Sequence, residues 1–255
     1  MTDVLWQPEA GQPSRLNDFQ RWLASHDGPP AGSYADLWEW STTHLDEFWL
    51  AVWRFFDIPS DTEPAVALAD ASMPGASWFP DIALNYAEVM LRMPGRADDD
   101  IVVIGRSQSR DEVRVSAADL REQVARARAG LHRLGVGRGD RVAAYSPNIP
   151  ETLVLLLATA SLGATFTSCA PEFGVQSVKD RWQQISPKVV VAVDGYRYGE
   201  KPVDRRTEVV DIVASLPSVE TLVWLPYLDA KATAPDGAIT WADLLSESAP
   251  LEFTR

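Results

Sequence analysis

The chain has 255 residues, 46% hydrophobic and 23% charged, with 18 Pro, 15 Gly and 10 Trp. This composition excludes disorder and fits one or two domains burying roughly three quarters of the surface that the unfolded chain exposes. Thirty-six acidic against 23 basic residues give a net charge of -13, which repels phosphate backbones and anionic membranes at long range and argues against nucleic-acid binding. The single cysteine, Cys169, excludes an intramolecular disulfide and a cysteine-based zinc site.

The first residues, Met1-Thr2-Asp3-Val4-Leu5-Trp6, lack the basic start and apolar core of a signal peptide. The longest apolar stretch, Leu153 to Phe166, falls short of the roughly 20 residues that a membrane-spanning helix needs. The expectation is a cytoplasmic protein without membrane contact.

Residues 1–97 read as a helical extension rich in tryptophan: Trp6, Trp22, Trp38, Trp40, Trp49, Trp53 and Trp78 all lie here. Leu16, Phe19, Trp22 and Leu23 recur at helical spacing, as do Leu45, Phe48, Trp49, Val52 and Phe56, so each segment presents one apolar stripe. Aromatics at this spacing read first as core, and the stripe implies a substantial neighbour. Ser33 and Asp36 stand at capping-box spacing before Leu37. Leu84 to Met93 reads as a further helix ending before Pro94-Gly95.

From residue 98 the pattern changes. Ile101 to Ile104 and Val113 to Val115 read as two strands, with a hairpin as one pairing. Ser116 and Asp119 open a helix that Gly135 ends. Beyond Gly137 short apolar strands alternate with helices: strands at Arg141–Tyr145, Thr165–Cys169, Val189–Val193 and Thr221–Leu225, and helices at Pro150–Leu162, Val175–Ile185 and Val203–Leu216. Alternation of this kind predicts an α/β domain over residues 98–255 with a βαβ-wound, mainly parallel sheet. The tail from Asp229 has loop composition around a short helix near Thr240.

Self-contained catalytic motifs are missing. Gly135-Val136-Gly137-Arg138-Gly139-Asp140 precedes a strand, whereas a dinucleotide fingerprint follows one and opens a helix. There is no P-loop, no G-x-S-x-G and no H-E-x-x-H, and His26, His44 and His132 fall in separate helices. Cys169 stands at the C-terminal end of a parallel strand, where α/β sheets place ligands. With no nearby histidine to lower its pKa, packing is the preferred reading over catalysis. Two loops on the same edge carry candidate ligand residues. Asp194 to Lys201 brings Arg197 and Lys201, suited to phosphates, beside Tyr196 and Tyr198; a solvated loop covering the sheet edge is the competing reading. Pro171-Glu172-Phe173-Gly174 leads into a helix whose first N–H groups suit an anion, and a plain turn explains it equally well.

Strings spread along nearly the whole chain resemble the acetoacetyl-CoA synthetases, a branch of the acyl-adenylate-forming, AMP-dependent ligases related to acetyl-CoA synthetase. They are Leu5-Trp6-Gln7-Pro8, Leu37-Trp38-Glu39-Trp40-Ser41, Met73-Pro74-Gly75-Ala76-Ser77-Trp78-Phe79-Pro80 and Leu84-Asn85-Tyr86-Ala87-Glu88. Gly139-Asp140-Arg141-Val142 through Asn148-Ile149-Pro150-Glu151 is similar to the wider superfamily. Ser168-Cys169-Ala170-Pro171-Glu172-Phe173-Gly174 and Val193-Asp194-Gly195-Tyr196-Arg197-Tyr198-Gly199 look like the acetoacetate branch.

The resemblance implies a reaction in which acetoacetate, ATP and CoA give acetoacetyl-CoA, AMP and pyrophosphate through an acyl-adenylate, with Mg²⁺ at the phosphates. It implies that Phe173, Gly174, Arg197 and Lys201 lie near the CoA nucleotide, and it carries over no catalytic residue and no metal ligand. The family's phosphate loop, adenine pocket and C-terminal lysine have no counterpart before Arg255. The expectation is an N-terminal portion of such a ligase, inactive alone, binding CoA at most and needing the remainder of the large domain and the C-terminal lid. The alternatives are a non-catalytic CoA-binding module and an inert remnant.

Overall fold

The computed structural model describes residue 9 and residues 12–26, 28–29 and 32–255. Trp6 and the Leu5-Trp6-Gln7-Pro8 string lie outside the described residues. The chain divides into two compact units, Met1–Leu84 and Asn85–Arg255.

In the first unit, α1 (Arg15–Ser25) begins at Ser14, whose hydroxyl accepts from the Asn17 N–H at 3.1 Å. The capping box read from Ser33 and Asp36 starts α2 (Tyr34–Thr43), and α3 (Leu45–Phe55) follows. Phe19, Leu23, Leu37, Trp40 and Ala51 form the core of this helical layer, with Trp22, Phe48, Val52 and Phe55 packed on it. Phe19, Trp22, Leu23, Phe48 and Val52 of the two stripes therefore pack as core, whereas Leu16, Leu45, Trp49 and Phe56 of the same stripes stay exposed, as does Trp38. Two short strands, β1 (Leu68–Asp70) and β2 (Ser77–Trp78), pair antiparallel. The Asp46 carboxylate of α3 accepts from the Ala67 and Leu68 N–H groups at 2.6 and 2.8 Å, which pins β1 to the helices.

The second unit opens with α4 (Tyr86–Arg92). Its Ala87 and Leu91 are buried in the same cluster as the helices of the sheet, so α4 belongs with the α/β unit and not with the extension that its sequence adjoins. β3 (Ile101–Gly105) and β4 (Val113–Ser116) form an antiparallel hairpin, and Ser116 caps α5 (Ala117–Arg133). Then come β5 (Arg141–Tyr145), α6 (Pro150–Ser161), β6 (Thr165–Cys169), α7 (Val175–Gln183) and β7 (Val189–Val193). After β7 the chain forms β8 (Gly195–Tyr198), β9 (Lys201–Asp204), α8 (Arg206–Ala214), β10 (Thr221–Leu225), β11 (Ile239–Thr240) and α9 (Trp241–Leu244).

The five-stranded sheet has the order β11-β10-β7-β5-β6, every pair parallel. Its central strands are apolar on both faces because helices cover both. Val142 and Ala144 of β5 and Val189, Val191 and Val193 of β7 pack in one cluster with α5 and α6. Ala143, Tyr145, Val190 and Ala192 pack in the other, with Val178 and Trp182 of α7 and Val209 and Ile212 of α8. At Gly130 a Cβ would lie 2.1 Å from the Leu244 carbonyl oxygen, so only glycine lets α5 approach α9 this closely.

One expectation is corrected. Residues 194–201 are not a loop, and no helix starts at Val203: β8 and β9 form an antiparallel hairpin, and α8 begins at Arg206. Gly199 turns the hairpin at φ +59, a conformation that glycine adopts without steric penalty.

Asn85 closes the unit. Its buried side-chain amide donates to the Ala160 and Thr254 carbonyls at 2.8 and 2.7 Å, while its Oδ1 accepts from the Ala87 N–H. Beside it Arg255 donates two hydrogen bonds to the Glu88 carboxylate, at 2.8 and 2.6 Å.

Candidate functional site

The C-terminal ends of β5, β6 and β7 make the candidate site. Outgoing connections diverge between β5 and β7, since β5 leads through α6 to β6 on one side and β7 leads through α8 to β10 on the other. Such a divergence opens a crevice beyond the strand ends.

The segment after β6 is held from below by β5. The Tyr145 hydroxyl, at the end of β5, shares its proton between the Pro171 and Phe173 carbonyls, at 3.0 and 2.8 Å. Burial pushes its pKa up to about 12, with the Arg205 charge pulling the other way. Phe173 stays 43% exposed, and the Arg181 guanidinium stands 4.9 Å from its ring centre. Gly174 is the N-cap of α7 and offers no side-chain acceptor, so the first-turn N–H groups of that helix have no side-chain cap. A Cβ on Gly174 would meet open space, so close approach of a ligand is unobstructed. Cys169 is buried against Val178 and Trp182, and burial raises its thiol pKa; it is a packing residue.

The hairpin carries the second group. Arg197 pairs with Pro202, and Tyr198 pairs with Lys201. Side chains alternate along a strand, so Arg197 and Lys201 stand on opposite faces of the hairpin and do not converge as a pair. Arg197 is exposed and donates from its guanidinium to the Glu200 carbonyl at 3.3 Å, and Lys201 makes no ion pair among the described residues. The outer edge of β8 docks on the β3–β4 connection: the Arg197 N–H donates to Ser109 Oγ at 3.2 Å, and the Gly199 N–H donates to Gln108 Oε1 at 3.0 Å. Gly195 starts the hairpin where a Cβ would come within 2.3 Å of the Val203 carbonyl oxygen.

Two residues that motif reading passes over organise this edge. Asp194, 3% exposed, accepts at Oδ1 from the Tyr227 and Leu228 N–H groups at 2.6 and 2.8 Å, and at Oδ2 from the Asp229 N–H at 2.8 Å. Arg205 donates from Nε to the Pro171 carbonyl and from its guanidinium to Glu208 Oε1, each at 2.8 Å, and stands 5.8 Å from the centre of the Tyr196 ring. The neighbouring Arg206 is held by Asp204, whose carboxyl that hydrogen-bonded pairing keeps below the usual carboxylate range. The string Asp204-Arg205-Arg206 shows two adjacent cations but not which of them reaches back to the β6 turn.

The edge thus offers an exposed ring, an uncapped helix start and exposed cations, groups that fit an anionic nucleotide. Comparison with known proteins agrees with the fold. Residues 92–249 match the family described as AMP-binding enzyme, and residues 34–90 match the acetyl-coenzyme A synthetase N-terminus. The chain belongs to the AMP-binding enzyme family. A solved acetoacetyl-CoA synthetase from Streptomyces lividans superposes with a TM-score of 0.92 at 44% identity, over 99% of this chain and 39% of that one. The acetoacetyl-coenzyme A synthetase of Rhizobium meliloti (strain 1021) is 36% identical over 98% of this chain and 39% of its own length. The acetoacetyl-CoA synthetase of Rattus norvegicus is 32% identical, over 88% of this chain and 34% of its own. The chain therefore spans between a third and two fifths of the length of these relatives. Among its described residues no helix is long and apolar enough to cross a membrane.

Proposed function

We propose that these 255 residues form the front portion of an acetoacetate–CoA ligase, which joins acetoacetate to CoA at the expense of ATP through an acyl-adenylate. The observation that carries the reading is the collinear likeness to acetoacetyl-CoA synthetases across both units, at 44% identity over 99% of the chain. The part of the reaction assigned to the described residues is capture of the CoA nucleotide. Phe173 presents an apolar ring, Gly174 leaves the first amides of α7 accessible, and Arg197 supplies positive charge to a phosphate. Lys201, on the other face of the hairpin, adds charge from a distance.

ATP and Mg²⁺ supply the activation chemistry in this reading, and nothing in the 255 residues is assigned to that step. Turnover then requires the segments that the longer relatives carry, so these residues alone make no acetoacetyl-CoA. The test is calorimetric titration of the 255-residue chain with CoA, together with acetoacetate-dependent AMP release. Saturable CoA binding that weakens about tenfold in Arg197→Ala, without AMP release, is the expected result. AMP release by these residues alone refutes the assignment of chemistry, and absence of CoA binding refutes the assignment of the subsite.

A further inference from the structure

The two halves of the edge come from different strands. The Phe173-Gly174 turn follows β6 at the rim of the sheet, and the Arg197 hairpin follows β7, with β5 between them. A ligand touching both needs their separation held, because a misplacement of about 1 Å costs binding geometry heavily. Arg205 spans that gap. Its backbone N–H donates to the Asp194 carbonyl at 2.8 Å, which fixes it to the base of the hairpin. Its side chain crosses the end of β5 to the Pro171 carbonyl, which the Tyr145 hydroxyl also approaches. The side chain is only 18% exposed, and Glu208 and the Tyr196 ring lock its orientation.

We propose that Arg205 is a positioning residue that sets the distance between the Phe173-Gly174 turn and the Arg197 hairpin, an inference that rests on the CoA reading above. Arg205 acts through Pro171 and Tyr196 and not as a charge on the ligand. Its planar fork supplies donors at fixed angles to Pro171 and Glu208, which a lysine ammonium cannot reproduce. Tyr145 is the second strut, since its hydroxyl holds the same turn from β5.

The test compares the 255-residue chain with its Arg205→Met, Arg205→Lys and Tyr145→Phe variants, by calorimetric titration with CoA and by amide hydrogen exchange. Expected in Arg205→Met is about a tenfold loss of CoA affinity. Exchange should be accelerated at the Phe173 and Arg205 amides while the β7 and β10 amides keep their protection. Arg205→Lys retains the charge and should not restore either. Full recovery of CoA affinity in Arg205→Lys overturns the proposal in favour of a charge contact. Unchanged exchange at Phe173 in Arg205→Met overturns it outright. If the Arg205 variants do not fold, Tyr145→Phe, which removes one hydroxyl and keeps the ring, carries the test: it should speed Phe173 exchange, and wild-type exchange there refutes the strut. If the starting chain binds no CoA, the ligand reading fails by itself, and the exchange arm still decides whether the turn and the hairpin are coupled.

Discussion

Replacing Asp194 tests the reading of the sheet edge most sharply, because its two oxygens serve amides of different burial. Oδ1 accepts from Tyr227 and Leu228 and Oδ2 from Asp229; Tyr227 is buried, Leu228 partly so and Asp229 exposed. In Asp194→Ala the Tyr227 N–H loses its acceptor without access to water, at about 2 kcal/mol, and the Leu228 N–H adds about 1 kcal/mol, so a loss of about 3 kcal/mol is expected. Asp194→Asn keeps an oxygen at the Oδ1 position and turns an NH₂ toward Asp229, whose N–H finds water instead, so the loss falls to about 1 kcal/mol. Urea unfolding read by hydrogen exchange at the β7 and β10 amides measures both losses in the unit concerned. Equal losses in the two variants would show that charge, and not acceptor geometry, holds the β10–β11 connection. A loss below about 0.5 kcal/mol in Asp194→Ala, within the range of an ordinary surface substitution, would refute the role altogether.

Gly130→Ala should lower the melting temperature even though alanine favours a helix by about 1 kcal/mol, since the added methyl would stand 2.1 Å from the Leu244 oxygen; scanning calorimetry showing a rise would contradict the close α5–α9 approach. The Tyr145 phenol, held at about 12 in the fold against about 10 when exposed, keeps its proton in the folded chain after the unfolded chain has lost it. Its contribution is therefore intact below pH 10 and declines between pH 10 and 12. Urea titrations across that window should show a steeper decline for the starting chain than for Tyr145→Phe, and parallel curves would refute the buried environment.

Much of the architecture was legible because burial on two faces leaves a plain signature. Val189 to Val193 has no polar residue, and the structure buries all five in the middle of the sheet. The Ser33, Ser116 and Thr240 starts were readable for a local reason, as each hydroxyl accepts from an N–H three residues on. The β8–β9 hairpin was not legible: Arg197, Glu200, Lys201 and Asp204 interrupt any apolar alternation, and its pairing is fixed by the Gly199 turn and by Gln108 and Ser109, some 90 positions earlier. Side-chain period then separated two cations that proximity in sequence had grouped. Arg205 and Asp194 escaped notice because their partners are backbone groups of Pro171 and of residues 227–229, and a carbonyl or amide carries no mark of its role in the sequence.

The Asn85 amide bears on the order in which this unit assembles during synthesis. Its bond to Thr254 joins residues 169 positions apart, so it forms only after Thr254 has left the ribosome, whereas β5, β6 and β7 are complete once Val193 has emerged. Loop closure grows dearer only slowly with length, and a nascent chain folds as its segments appear. The parallel strands thus have about 60 residues of synthesis in which to pair before Thr254 can reach Asn85, so this long-range bond is added to strands that have already had time to form.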